Sequence, residues 1–269
     1  FSLGGPVIKD KLFYFINFET EQRSDQSSSY VAQNSSNVGN TNTSRVLESD
    51  LQQVSSILKS RFDYDTGPYQ GFTLDQKSYK WLFKLDWNIS NNHRLSFTYN
   101  GLDASKDKPA HPSAIGRRGP DYTTLQFANS GYQIVNRLHS FGTELRSNFG
   151  STFANKLRVV YTRFRDKRNP FSEPFPVVNI TKNGVRYIIA GHEPFSINNR
   201  LNQDAFQVTN NFNMFFNKHT VTVGASFESF KFGNSFNLTG YGPSIFNDID
   251  INKFITEGPG GGNVVVGAY

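Results

Sequence analysis

The stretch KSYKWLFKLDWNISNNHRLSFTYNG, residues 77–101, constrains the fold more than any other part of the chain. Tyr79, Trp81, Phe83, Leu85, Trp87 and Ile89 take alternate positions. Lys80, Lys84, Asp86 and Asn88 fall between them, with Leu82 the one exception. A strand sends successive side chains to opposite faces, so a period of two gives one apolar face and one charged face. After Ser90-Asn91-Asn92 the pattern returns, with Leu95, Phe97 and Tyr99 set against Arg94, Ser96, Thr98 and Asn100. Two alternating runs joined by a short Asn-rich turn predict a β-hairpin.

The pattern recurs along the chain. Near the start, Leu12, Tyr14, Ile16 and Phe18 share a face, opposed by Phe13, Phe15, Asn17, Glu19 and Glu21. Phe141, Leu145 and Phe149 are followed by Leu157, Val159 and Tyr161. Phe206, Val208, Phe212 and Met214, weakened by Asn210, are followed by Val221, Val223, Ala225 and Phe227. Each run alternates for roughly 9–12 residues, near the ~9–11 that a tilted strand needs to cross a bilayer. Between hairpins lie long polar segments, from about 23 to 75, 102 to 133, 166 to 202, and from 233 onward. Within the first, SDLQQVSSILKSRF spaces Leu51, Val54, Ile57 and Leu58 for one face of a short helix, with Ser49 or Asp50 as N-cap. Tight turns alternating with long loops are the layout of an outer-membrane barrel, one rim carrying each kind. A soluble β-sandwich is the alternative; its strands are commonly only ~5–6 residues.

Composition fits a barrel. Only 36% of residues are hydrophobic, yet 15% are aromatic, including 26 Phe, an unusual pairing for a soluble core. A mean hydropathy of -0.51 is compatible with membrane strands, because only every second residue must be apolar. No run approaches the ~18 apolar residues of a membrane helix. With no cysteine, thiolate metal sites, disulfides and cysteine nucleophiles are excluded. The formal charge of +6 suits anionic lipid, acidic glycan or nucleic acid alike. Residue 1 is Phe and no secretion signal opens the sequence, so the chain is expected to be a piece of a longer protein.

Motifs for chemistry are sparse. His93, His111, His139, His192 and His219 form no H-x-x-x-H pair, so no metal ligand is assigned. Asp248-x-Asp250 lacks the rest of a calcium loop and reads as solvated loop. Gly258-Pro259-Gly260-Gly261-Gly262 lacks the lysine of a phosphate cradle. No G-x-S-x-G elbow is present, and His111 near Ser113 in sequence makes no catalytic pair by itself. Basic and aromatic residues interleave, as at Lys80-Trp81 and Arg163-Phe164-Arg165, but on opposite strand faces, which counts against nucleic-acid stacking. No enzyme activity, catalytic residue or cofactor is expected, and ligand-binding residues stay unassigned.

The opening FSLGGPVIKDKLFYFINFE resembles the SLGGPIIKDKLFFFxNYE segment of Oar-like TonB-dependent receptors. The match runs through Ser2-Leu3-Gly4-Gly5-Pro6, Ile8-Lys9-Asp10-Lys11-Leu12-Phe13, Phe15, Asn17 and Glu19, and departs conservatively at Val7, Tyr14 and Phe18. SDLQQVSSILKSRFDYDTGPYQG is similar to that family's first long loop; beyond residue 75 the likeness is one of layout. The resemblance implies an all-β fold: an antiparallel transmembrane β-barrel of about 22 strands, of which residues 1–269 supply about strands 2 to 9 or 10. The plug and regulatory-like domains lie outside this sequence. It implies ligand transport across the outer membrane of a Gram-negative bacterium, powered through the TonB complex, which engages the missing N-terminal part. Partners are outer-membrane lipid and lipopolysaccharide and a transported ligand of unknown identity. Gly4-Gly5-Pro6 is expected to end a strand. Lys80, Lys84, Asp86, Arg94, Glu144, Arg146 and Arg158 are expected to line the lumen. The other reading left open is a complete small barrel of about eight strands with a structural, porin-like or adhesion role.

Overall fold

The computed structural model describes residues 1–110, 120–237 and 248–258. His111, Ser113 and the stretch from Pro259 to Gly262 lie outside them. Eight long strands form one antiparallel sheet: β1 (Ser2–Ile8), β2 (Leu12–Gln26), β5 (Thr73–Asn88), β6 (His93–Lys108), β8 (Tyr132–Phe149), β9 (Phe153–Pro170), β12 (Arg200–Phe216) and β13 (His219–Ser235). Each pairs with its neighbour in that order, a meander with no crossover. The sheet is open, with β1 and β13 at its edges.

The tight turns gather at one rim. Asp10 (φ 60°) sits between β1 and β2, Gly150 (φ 64°) between β8 and β9, and Asn217 (φ 46°) between β12 and β13. Aspartate, asparagine and glycine tolerate this left-handed backbone best. Gly4-Gly5-Pro6, expected to end a strand, instead lies within β1 and pairs with Phe15, Tyr14 and Phe13.

Register carries the alternating pattern across the sheet. Tyr14 faces Leu85, which faces Phe97, then Thr143, Val159, Val208 and Phe227. Directly opposed residues share a face, so the apolar residues merge into one continuous surface. The strands run to 15–18 residues in β2 to β13, longer than the alternation suggests. The backbone ladder continues where the side chains change character, so polarity marked the strand ends too early.

The largest correction concerns the long connections. They contain β3 (Val31–Gln33), β4 (Thr43–Leu47), β7 (Leu125–Gln126), β10 (Val177–Lys182), β11 (Val185–Gly191), β14 (Asp248–Asp250), α1 (Glu48–Phe62) and α2 (Ile251–Glu257). A second sheet, in the order β14-β10-β11-β7, draws its strands from three different connections. Among the described residues the buried apolar cluster lies here, in a cap beyond the long-loop rim. Leu51, Val54 and Leu58 of α1 pack with Phe127, Ile180, Tyr187, Ile188, Ile251 and Phe254. The β10–β11 hairpin turns on Asn183-Gly184, both with positive φ, the dipeptide that best suits a two-residue hairpin turn.

The helix over 49–62 forms with its expected apolar face, but its N-cap is Leu47, with no side-chain cap bond; Ser49 and Asp50 lie inside the first turn. Asp63 closes it in the left-handed conformation, its N–H bonded to the Lys59 carbonyl. Among the described residues no helix is long and apolar enough to cross a membrane, which says nothing of strands.

Candidate functional site

Two surfaces compose the site: the polar face of the main sheet and the cap above it. The polar face carries Lys80, Lys84 and Asp86 from β5, Arg94 from β6, Glu144 and Arg146 from β8, and Arg158 from β9. The register brings them together, pairing Asp86 with Ser96, Ser96 with Glu144, Arg94 with Arg146, and Glu144 with Arg158. Lys84 Nζ lies 2.8 Å from the Asp86 carboxylate, which also accepts the Ser96 hydroxyl at 2.6 Å. Glu144 accepts from Arg146 at 2.6 Å and stands 3.3 Å from Lys156. Arg94 Nε donates to Asn88 at 2.8 Å, and Lys80 reaches Glu19 at 3.7 Å. These neighbouring pairs hold long side chains along the wall, and each pair is weak in water. Shallow grooves of about 330 and 300 Å³ run along this wall, past Thr98, Ser140 and Arg158 and past Phe13, Lys84 and Arg94.

Toward the long-loop rim the faces exchange character. On the apolar face, the row Phe141, Tyr161, Phe206 gives way to His139, Arg163, Asp204 and Lys231. On the polar face the same level carries Leu102, Leu138 and Phe164, then Gln203 and Phe232, a shelf inside the wall that is apolar except at Gln203. Sequence reading missed this shelf because Leu102 begins a segment read as loop. The signal was available in the alternation of Asn100, Leu102 and Ala104 with Gly101, Asp103 and Ser105.

The cap is stitched by polar groups as well as by its core. Arg45 donates to the carbonyls of Thr123, Val185 and Arg186 at 3.1, 3.0 and 2.9 Å, joining three connections. The Tyr187 hydroxyl donates to Asp50 at 2.8 Å and accepts the Leu47 N–H at 2.7 Å. Lys182 Nζ meets the same carboxylate at 3.0 Å, and burial raises the Tyr187 phenol above its ordinary range. Arg45 and Lys182 also lie over the Tyr187 ring, 5.2 and 4.9 Å from its centre.

The histidines separate. His93 binds Ser147 at the tight-turn rim through Nδ1 at 2.9 Å. His219 opens β13 beside the turn. His139 Nδ1 meets the Tyr99 hydroxyl at 2.8 Å at the upper edge of the apolar face. His192 is buried in the cap, where Nδ1 stands 3.0 Å from Ser172 Oγ and 3.2 Å from the Glu173 carbonyl. A carbonyl only accepts, so in the tautomer that bonds Glu173 it is Nδ1 that donates. Burial holds His192 below its usual pKa. The adjacent Glu193, fully buried, accepts from Phe195 N–H at 2.9 Å and from the Ser196 hydroxyl. Its carboxyl is pushed up to about 7 by burial. Asp250 caps α2 by accepting the Asn252 N–H at 2.9 Å, a helix-end role in place of solvated loop. Among the described residues no three His, Asp or Glu side chains converge as metal ligands.

A charged wall behind an apolar outer face is the pattern of a strand wall between lipid and water. No curated protein matches the chain. The family model described as an outer membrane beta barrel domain matches residues 1–258. That match covers both the meander and the loops that build the cap, and it places the chain in the outer membrane of a Gram-negative bacterium. The chain belongs to the outer membrane beta barrel domain family.

Proposed function

We propose that this chain is part of an Oar-like TonB-dependent receptor, its sheet forming wall and its cap forming a ligand-capturing mouth. The observation that carries this reading is the openness of an eight-stranded sheet whose inner face is charged. A barrel of eight strands closes on an interior just wide enough to be filled by its own side chains. Among the described residues β1 and β13 have no further strand beside them, and the charged wall needs water or a second domain opposite it. A wider barrel with further strands provides that space, which favours a large barrel over the complete small one. The resemblance of residues 1–19 to the start of that family's barrel supports the same choice.

In this reading the cap selects a ligand by binding, the wall guides it, and no bond is made or broken. The TonB complex acts through a plug domain elsewhere in the parent protein. The test is electrical. The full-length protein in planar bilayers should be closed, and should conduct only after the plug is excised or displaced with urea. A steadily open channel from the untreated full-length protein would remove the receptor reading and leave a porin.

A further inference from the structure

Near the tight-turn rim the register creates a like-charge pair. Arg94 of β6 stands directly opposite Arg146 of β8, both on the polar face. Like charges directly opposed on one face repel, and an anion between them relieves that repulsion. Among the described residues each guanidinium is bonded through Nε. Arg94 donates to Asn88 Oδ1 at 2.8 Å, and Arg146 donates to Glu144 at 2.6 Å. The Nη groups of both are left for another partner.

The surroundings hold this pair in place. The Asn88 amide that accepts from Arg94 also donates to the Asp10 carbonyl at 3.0 Å, and the Asn88 N–H donates to the Lys11 carbonyl at 2.8 Å. The Asn148 N–H donates to the Asn92 carbonyl at 2.8 Å. These bonds fix the β1–β2 turn to β5 and the β5–β6 turn to β8. Between them lies a pocket of about 740 Å³, within the size range of ligand sites. Lys9, Lys11, Arg94 and Arg146 line it, all exposed, against the single carboxylate of Asp10 among the described residues. Lys9, Lys11 and Arg94 have no carboxylate within ion-pair distance among those residues. Carboxylates farther along the wall are engaged, Asp86 with Lys84 and Glu144 with Arg146 and Lys156. Asn91, Asn92 and Asn148 add amides to the lining.

We infer that this pocket binds the stem-peptide carboxylates of the cell-wall glycopeptide, anchoring the short-turn rim of the barrel to the wall. The short turns of such barrels face the periplasm, where that polymer lies. Paired guanidinium forks suit carboxylates, and side-chain amides suit the peptide bonds and acetamido groups around them. Asn88, Arg94 and Arg146 are paired on the polar face, away from lipid, so headgroup phosphates against the outer face do not compete. The inference rests on the sidedness of the barrel and is independent of the transport reading.

The experiment uses the detergent-solubilised full-length protein. It is titrated calorimetrically with a soluble disaccharide-tetrapeptide cut from the cell wall, with the same fragment after its carboxylates are amidated, and with inorganic phosphate. The free-carboxylate fragment should bind at least about tenfold tighter than either of the others. R94Q/R146Q should lose at least about tenfold, and because it removes opposed like charges its heat-shifted gel mobility should match the parent. K167Q/R200Q, the same charge change at the opposite rim, should stay within about twofold. K9Q/K11Q, confined to an exposed turn, should lose about threefold and carries the test if the arginine variant does not fold. No binding by the full-length protein, equal binding of the amidated fragment, phosphate binding as tight as the fragment, or variants that bind like the parent would each overturn the assignment.

Discussion

The indole of Trp81 lies against Gly101, its direct neighbour across β5 and β6, so closely that a Cβ on Gly101 would clash with Nε1. That closeness lets the indole N–H donate to the Tyr99 hydroxyl at 3.0 Å, which in turn meets His139 at 2.8 Å. Three strands are thus joined at the upper edge of the apolar face, where amphipathic rings belong.

Gly101→Val should therefore displace the indole and break this chain of contacts, at a cost of about 1–3 kcal/mol for overpacking. Urea unfolding of the full-length protein in detergent would show an earlier midpoint, and adding Trp81→Ala should recover part of the loss. An unchanged midpoint in Gly101→Val would mean that the contact is loose.

The two faces of β5 should respond oppositely to charge. Phe83→Arg puts a cation on the lipid side and should cost about 2–4 kcal/mol near the midplane. Lys84→Gln, one residue on, should cost well under about 1 kcal/mol, because its ion pair with Asp86 is partly exposed. Folding yields into lipid vesicles would separate the variants, and equal yields would reverse the face assignment.

Glu193 makes the cap sensitive to pH. Unfolded, its carboxyl has the ordinary value of 4.5; buried, it titrates at about 7. Below 4.5 both states hold the proton and burial carries no charge penalty. As pH rises from 4.5 to about 7 the unfolded segment releases its proton first, so the cap loses stability, levelling off above 7 at a loss of about 3 kcal/mol. Glu193→Gln should remove that slope and protect cap amides at about pH 8. Hydrogen exchange over residues 177–191 reads this directly, and parallel pH profiles in both proteins would reject it.

Tyr187→Phe deprives the Leu47 N–H of its acceptor and Asp50 of a donor, costing about 1–3 kcal/mol within the cap. Protease added to intact cells should then cut the cap connections faster, with the strands still protected. Arg45→Met should act similarly, since it leaves three carbonyls in two other connections without their donor.

Much of the sheet was legible because lipid and water impose a simple alternation. Tyr79 to Ile89 could be assigned to a face with no knowledge of its neighbours, and the register later joined that face to Phe97 and Val159. The strand ends were not legible from the same signal. Lys167 continues the outer face but lies beyond the hydrocarbon, so the chain from 166 onward reads as a loop although β9 runs on to Pro170. The cap was harder still. Leu125, Phe127, Ile180 and Phe254 come from separate polar connections, and none has enough apolar neighbours in sequence to announce a core. Only α1 carried its own periodicity, and only Asn183-Gly184 carried its own turn. What joins them is pairing between distant segments, which local pattern does not record.

The contact between α1 and α2 has a mechanical consequence. α1 leaves the sheet after β2, and α2 leaves it after β13. Six strand spacings of about 4.8 Å, some 29 Å of arc, separate those two strands. Strand pairing alone leaves the bend between neighbours soft, yet the helices tie the ends of this arc together outside the membrane. We expect this tie to act as a chord across the mouth of the wall, coupling a change in the wall's curvature to a sliding or parting of the two helices.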